Sequence, residues 1–265
     1  MSQAENAAAP KRYCRCQLDR KTFWAVEEGE QVAELGRAPW QGGERTGKTY
    51  ARDQVRLLAP VAPSKIVCVG RNYRAHAKEL GNQPPREPLI FLKPPSAIIG
   101  PDEAIVYPPQ SERVDYEGEL ALVIGRRCRN LKPSDDPLSF VFGFTCLNDV
   151  TARDLQKADG SFTRGKGFDT FCPVGPMVAT GLDPAHLILE THVNGQRRQR
   201  EQVSEMIFSL DAIMRFISGV MTLEPGDLIA TGTPAGVAPL SVGDTVEVAI
   251  EGIGRLRNKV TPPQE

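Results

Sequence analysis

The stretch that decides the reading is Asp115 to Gly125, DYEGELALVIG. Side chains at i and i+2 of a strand share one face, with Cα atoms roughly 6.6–6.8 Å apart. Glu117 and Glu119 therefore share a face that continues through Ala121 and Val123, while Tyr116, Leu120, Leu122 and Ile124 occupy the other. Apolar residues on both faces predict a strand that runs into the interior. Two carboxylates at the mouth of such a strand repel each other and lose hydration. They call for a compensating partner, of which a metal ion is the simplest. The pair alone also permits a plainer outcome, a strand end that reaches water with both glutamates hydrated.

The surrounding chain has 265 residues, 40% of them hydrophobic and 25% charged, which is enough for one large domain or a medium one with an appendage. A formal net charge of −1, with no basic block, gives no reason to expect nucleic acid as a partner. The 24 glycines and 22 prolines imply many turns and short elements rather than a helical bundle. No apolar run approaches the roughly 20 residues that span a bilayer, so no membrane partner is expected. The opening MSQAENAAAPKR lacks the features of a secretory signal, which makes the cytoplasm the expected location. Six cysteines stand at 14, 16, 68, 128, 146 and 172. Cys14 and Cys16 are too close for an ordinary bridge, no CxxC pair suggests zinc, and Cys68 and Cys146 lie in apolar runs as buried thiols.

Residues 1–10 read as a disordered tail and 11–58 as short alternating stretches such as TFWAVEE and QVAELG. With LLAPVAPSK as linker, this predicts a small β-rich domain over 1–60 and a main domain over 61–265. In the main domain KIVCVG (65–70), LIFLK (89–93), AIIG (97–100), GELALVIG (118–125) and FVFGFTCLND (140–149) read as strands. RNYRAHAKELG (71–81), closed by Gly81, and TARDLQKADG (151–160) read as short helices. Asn194-Gly195 between alternating runs predicts a hairpin. SEMIFSLDAIMRFISGV (204–220) carries apolar residues at 206, 207, 210, 213, 214, 217 and 220, which predicts the one long helix. EPGDLIATGTP and DTVEVAIEGIGRLRNKV complete a strand-rich carboxyl-terminal half. Without regular β–α alternation a doubly wound sheet is rejected, and the fold class is mainly β with α (α+β).

Asp149 ends a run that is apolar on both faces. It could cap the helix that begins near Thr151. As a third carboxylate near the glutamate pair it would instead complete an all-oxygen set, which suits Mg²⁺ or Mn²⁺ rather than zinc. His76 and Glu79, spaced i, i+3 on one helix face, are either a solvated pair or an imidazole oriented to deprotonate water. His186 reads as lying in a loop and His192 on a solvent-facing strand. Lys166 sits in the polar loop FTRGKGFDT, exposed or else balancing the carboxylates and a developing enolate. TGTPAGVAP offers the Thr231 and Thr233 hydroxyls and free N–H groups for a substrate carboxylate, and lacks the ending of a phosphate-binding P-loop.

Seven segments in order resemble the fumarylacetoacetate hydrolase family: GRNYRAHAKEL, PLIFLKPPSAI, VDYEGELALVIG, GFTCLNDVTARDLQ, GKGFDTFCPVGP, MIFSLDAIMRFIS and LEPGDLIATGTPAGVAP. They span the main domain, and the first 60 residues resemble more loosely the β appendage of some bacterial members. The resemblance implies a mixed β-sandwich roll, a homodimer, and a Mg²⁺ or Mn²⁺ ion on Glu117, Glu119 and Asp149. It implies a lid whose His76 and Glu79 position the attacking water. It also matches Arg153, Gln156, Lys166 and Thr233 to positions that contact substrate or balance charge. The expected activity is metal-dependent cleavage of a C–C bond in a small 2-oxo acid through an enolate. That covers acylpyruvate or fumarylpyruvate hydrolysis and oxaloacetate decarboxylation, with the intact His/Glu pair favouring hydrolysis. The runner-up is an isomerase of 2-hydroxyhepta-2,4-diene-1,7-dioate or 5-carboxymethyl-2-hydroxymuconate type in aromatic catabolism. A non-catalytic binding module, the third reading, has no need of His76 and Glu79.

Overall fold

The computed structural model describes residues 10–79, 81 and 83–263, so all of the expected tail except Pro10 lies outside the described residues. Five strands come first: β1 (Lys11–Leu18), β2 (Lys21–Glu28), β3 (Gln31–Leu35), β4 (Arg45–Ala51) and β5 (Arg56–Leu58). Their alternation buries Cys14, Cys16, Phe23, Ala25, Val32 and Leu57 in a small core. Next come β6 (Ile66–Gly70), α1 (Arg74–Glu79), β7 (Leu89–Lys93), β8 (Ile98–Ile99), β9 (Ile105–Val106) and β10 (Val114–Asp115). The central pair is β11 (Gly118–Ile124) and β12 (Val141–Asn148), followed by β13 (Thr151–Ala152), α2 (Arg153–Asp159), α3 (Thr163–Lys166) and β14 (Cys172–Thr180). The chain ends with the hairpin β15 (Ile188–Val193) and β16 (Gln196–Gln202), then α4 (Leu210–Val220), β17 (Leu228–Ala230), β18 (Thr245–Ile250) and β19 (Gly254–Thr261).

The large sheet runs β4-β3-β2-β1-β14-β12-β11-β17-β6-β7, and a second sheet runs β16-β15-β18-β19-β9. Parallel pairing of β17 with β6 amid antiparallel neighbours makes the large sheet mixed. The expected fold class is what is found. The first five strands join the large sheet where β1 pairs with β14.

Strand β11 lies between β12 and β17 and is buried along its whole length, as its two apolar faces predict. Leu120, Leu122 and Ile124 pack with Ile213, Met214 and Ile217 of α4 and with Leu189, Val248 and Ile250 of the second sheet. Burying each such side chain contributes about 1.5–3 kcal/mol. Ala121 and Val123 face a separate core with Ile66, Cys68, Leu147 and Val174. Gly118, on the face opposite the two glutamates, is where the sheets come closest: a Cβ there would lie 2.0 Å from Thr191 Oγ1. The glycine between the glutamates is thus a packing requirement.

Three helices are shorter than their patterns predict; the one expected over 151–160 yields Thr151–Ala152 to β13 and runs as α2 from Arg153 to Asp159. The expected helix over 204–220 starts only at Leu210, where Ser209 Oγ accepts from Ala212 N at 3.2 Å as N-cap. Ile207 N and Phe208 N donate instead to Asn72, at 2.7 and 2.8 Å, which holds that stretch out of the helix. The expected helix over 71–81 is reduced to α1 because Arg71 has φ +57°, in the left-handed region. Gly81 closes the turn after α1 as expected, its N–H donating to Lys78 O at 3.0 Å. Among the described residues no helix is long and apolar enough to cross a membrane.

Candidate active site

The register of β11 against β12 sets Gly118 opposite Asn148, so the next backbone bond joins Asp149 N to Glu117 O at 2.8 Å. Asn148 Oδ1 accepts from Glu117 N at 2.9 Å and fastens the strand end further. One carboxylate oxygen each of Glu117, Glu119 and Asp149 lies within 4.8 Å of the others, and all three residues are buried. Asp149 does not cap a helix: α2 has Ala152 at its N-cap and no side-chain cap. Of its two readings, the carboxylate cluster is the one the fold adopts.

The three carboxylates are treated differently by their surroundings. Glu117 accepts from Lys166 Nζ at 2.8 Å and also pairs with Arg153. Burial would push its carboxyl up, but the Lys166 and Arg153 cations outweigh that and hold it well below the usual carboxylate range. Asp149 accepts from Lys93 Nζ at 2.6 Å and pairs with Lys166. Lys166 is likewise kept charged: burial would lower its pKa, and Asp149 with Glu117 raises it. Among the described residues Glu119 receives only a backbone hydrogen bond, from Gly232 N at 2.7 Å. Burial, then the neighbouring Asp149 and Glu117 charges, push its carboxyl well above the usual range. One member of the trio is thus short of a cation.

That imbalance is the observation that tests a metal. The donor set is all oxygen, the three carboxylates converge, and one of them lacks a paired cation. The residues therefore fit a hard divalent ion such as Mg²⁺ or Mn²⁺. Its octahedral neighbours sit about 3 Å apart, within reach of small side-chain shifts from the present spacing.

Lys166 was expected in an exposed or charge-balancing loop; it ends the short helix α3 and is buried, so it belongs to the second alternative. Arg153 opens α2 and bridges Glu117 to Asp115, to which its Nε donates at 2.9 Å, while its Nη1 donates to Gln156 Oε1 at 2.7 Å. A cavity of about 380 Å³ gathers His76, Glu117, Glu119, Asp149, Arg153, Gln156, Lys166 and Thr233 on one wall system. Glu79 does not line it, but its Oε2 lies 3.3 Å from His76 Nδ1. His76 is buried rather than solvated, while Glu79 is exposed. His186 is exposed beside Asp183, and His192 is half-buried beside Glu190 rather than facing solvent.

Thr233 lines the cavity, and the hydroxyls of both threonines make bonds within the protein. Thr231 Oγ1 donates to Leu120 O and Thr233 Oγ1 to Gly118 O, each at 2.8 Å. The N–H of Gly232 serves Glu119, and that of Gly236 serves Glu79 at 3.0 Å. The two glycine N–H groups thus serve carboxylates, and the two hydroxyl protons serve backbone carbonyls of β11. The sequence reading also missed Lys93, buried against Asp149. Its signal was the one that exposed Glu117 and Glu119, a charge closing an otherwise apolar strand, LIFLK.

The fumarylacetoacetate (FAA) hydrolase C-terminal family matches residues 65–261, and the Rv2993c-like, N-terminal family matches residues 11–60. The chain is 40% identical over 250 residues to "Oxaloacetate tautomerase YisK" of Bacillus subtilis, covering 89% of this chain and 82% of that protein. It superposes with a TM-score of 0.88 and 46% identity on a 2-hydroxyhepta-2,4-diene-1,7-dioate isomerase from Mycobacterium marinum, across 96% of this chain and 99% of that one. A fumarylpyruvate hydrolase from Pseudomonas aeruginosa, solved in complex with Mn²⁺ and pyruvate, gives a TM-score of 0.72 at 34% identity, across 78% and 92%.

Proposed function

The chain belongs to the fumarylacetoacetate hydrolase family of enzymes, and from that premise we propose that it is a Mg²⁺- or Mn²⁺-dependent enzyme that cleaves a C–C bond of a small 2-oxo acid. The observation that carries the reading is His76, paired with Glu79 behind it, lining the same cavity as Glu117, Glu119 and Asp149. An ion on those three carboxylates would supply a Lewis acid for the keto and carboxylate oxygens of the substrate.

The chain's own side chains do the rest. Glu79 orients the His76 ring and compensates the charge it gains on taking a proton from water. The water oxygen adds to the remote carbonyl of an acylpyruvate, the C–C bond breaks, and its electron pair stays with the departing pyruvate enolate. Lys166 offers fixed positive charge to that enolate, and Arg153 with Gln156 holds the substrate. In oxaloacetate the same electron pair is released by loss of CO₂, and no water is needed.

A second reading, isomerisation or keto–enol tautomerisation, is favoured by the tautomerase and isomerase among the relatives. In it His76 moves a proton between carbon and the enol oxygen, and no bond between carbons breaks. Acetylpyruvate, fumarylpyruvate, oxaloacetate and a hydroxymuconate analogue, each assayed with Mg²⁺ or Mn²⁺ and then with EDTA, separate these reactions. Pyruvate released from an acylpyruvate and lost on chelation supports cleavage. Enol decay without pyruvate supports tautomerisation, and turnover indifferent to EDTA refutes the metal.

We take residues 1–60 as an appended β-rich unit on the catalytic domain 61–265, a division supported by the two separate family matches. The expected homodimer is supported by an open apolar groove next to the site, lined by Leu92, Pro94, Pro95 and Phe168, with Leu92 half exposed.

A further inference from the structure

The cations nearest the three carboxylates are already engaged, because Lys93, Lys166 and Arg153 each hold at least one of them. Two more cations, Arg71 and Lys157, line the same cavity. Among the described residues neither has a carboxylate within ion-pair distance or a hydrogen-bonded side chain. Arg71 is half-buried and Lys157 is exposed. Phe91 and Phe162, packed edge to face with ring centres 4.8 Å apart, supply the apolar lining of that cavity.

Arg71 does not reach this place by accident of a loose loop. Its backbone has φ +57°, a conformation that a residue with a side chain adopts only when its surroundings impose it. The next residue imposes it. Asn72 Nδ2 donates to Thr231 O at 2.8 Å, Asn72 Oδ1 accepts from Phe208 N at 2.8 Å, and Asn72 O accepts from Ile207 N. Gly232 lies so close that a Cβ on it would come 2.7 Å from Asn72 Cβ. The turn is clamped on two sides, and the clamp presents an unpaired guanidinium to the cavity.

The charge balance says what that guanidinium meets. Buried acids and their bases at the strand end nearly cancel. A divalent ion and one substrate carboxylate would leave positive charge in excess, and Arg71 with Lys157 adds to it. We infer that Arg71, assisted by Lys157 on α2, binds a second carboxylate at the far end of the substrate, so that the enzyme selects 2-oxo diacids over 2-oxo monoacids. A planar guanidinium matches a carboxylate through two parallel hydrogen bonds, which a methyl group cannot replace. This inference rests on the 2-oxo acid reading above and adds the group beyond the keto acid.

The test is calorimetric binding to the Mg²⁺-loaded protein of two matched pairs, oxaloacetate against 2-oxobutyrate and 2-oxoglutarate against 2-oxopentanoate. The diacid of at least one pair should bind about tenfold tighter or more in the unaltered protein. In Arg71→Gln that ratio should fall to within about twofold, Arg71→Lys should keep part of it, and Lys157→Gln should lower it by about threefold. Thermal unfolding of each variant checks that the turn still folds. A ratio unchanged in Arg71→Gln, or monoacids bound as tightly as diacids from the start, overturns the inference and leaves the 2-oxo acid reading standing. Failure of every one of the four acids to bind overturns both.

Discussion

The carboxylate end of the cavity and the short helix α1 hold their side chains in opposite ways. Glu117, Glu119 and Asp149 project from the ends of two central strands and are at most 5% exposed. Their partners come from β7, α2 and α3, so with the two strands five elements must agree before the charges can be buried. His76 and Glu79 stand on a six-residue helix, and 34% of the Glu79 side chain is exposed. Besides His76, among the described residues Glu79 is held by a single backbone N–H, that of Gly236. The buried charges sit at the centre of the sheet, and the pair to which we assign proton transfer sits on a short helix at its margin.

Substitutions at the two ends should separate this contrast, and the largest effect belongs to Glu119. Glu119→Gln should abolish metal binding and lower turnover by about 10⁴-fold or more, while its melting temperature stays level or rises. That residue has no cation to orphan. A variant that keeps full activity in EDTA would break the proposal. His76→Ala should lower acylpyruvate hydrolysis by about 10²–10⁴-fold and leave Mg²⁺ affinity unchanged. Oxaloacetate decarboxylation, which needs no activated water, should largely survive it; equal loss of both would give His76 a different task.

Stability effects rank below these. Asp149→Ala leaves Lys93 and Lys166 buried with too little negative charge and should cost about 3–5 kcal/mol by urea denaturation. That is the converse of Glu119→Gln, and similar stability changes in the two would erase the distinction drawn between them. Gly118→Ala should cost about 1–3 kcal/mol through the contact with Thr191, with activity falling as the glutamates shift. The smallest effect is a proton count. The Glu119 carboxyl is raised above the usual range, so it holds its proton to higher pH than an ordinary glutamate, and ion binding competes with that proton. Mg²⁺ affinity should therefore rise by about tenfold per pH unit below that pKa and level off above it. Calorimetry in buffers of different ionisation enthalpy would measure the proton released.

Much of this was legible without coordinates because it depends on local periods. The two-residue repeat of β11 assigned Leu120 and Ala121 to opposite cores, and the Asn194-Gly195 turn marked its hairpin. The helix ends were less legible, since the bonds from Asn72 to 207 and 208 connect segments that no local pattern links. Lys166 read as a loop lysine for the same reason, because its partners lie 17 and 49 residues away.

By itself the sequence determined that a charged pair shares one face of a buried strand, and that an acid, a histidine–glutamate pair and a lysine stand ready elsewhere. The tertiary structure alone decided that Lys93 and Asp149, 56 residues apart, neutralise each other, and that Glu119 is left short of a cation. The physical reason is one of range. Side-chain direction follows from backbone geometry over two to four residues, whereas the free energy of a buried charge depends on every group brought near it by sheet register and packing.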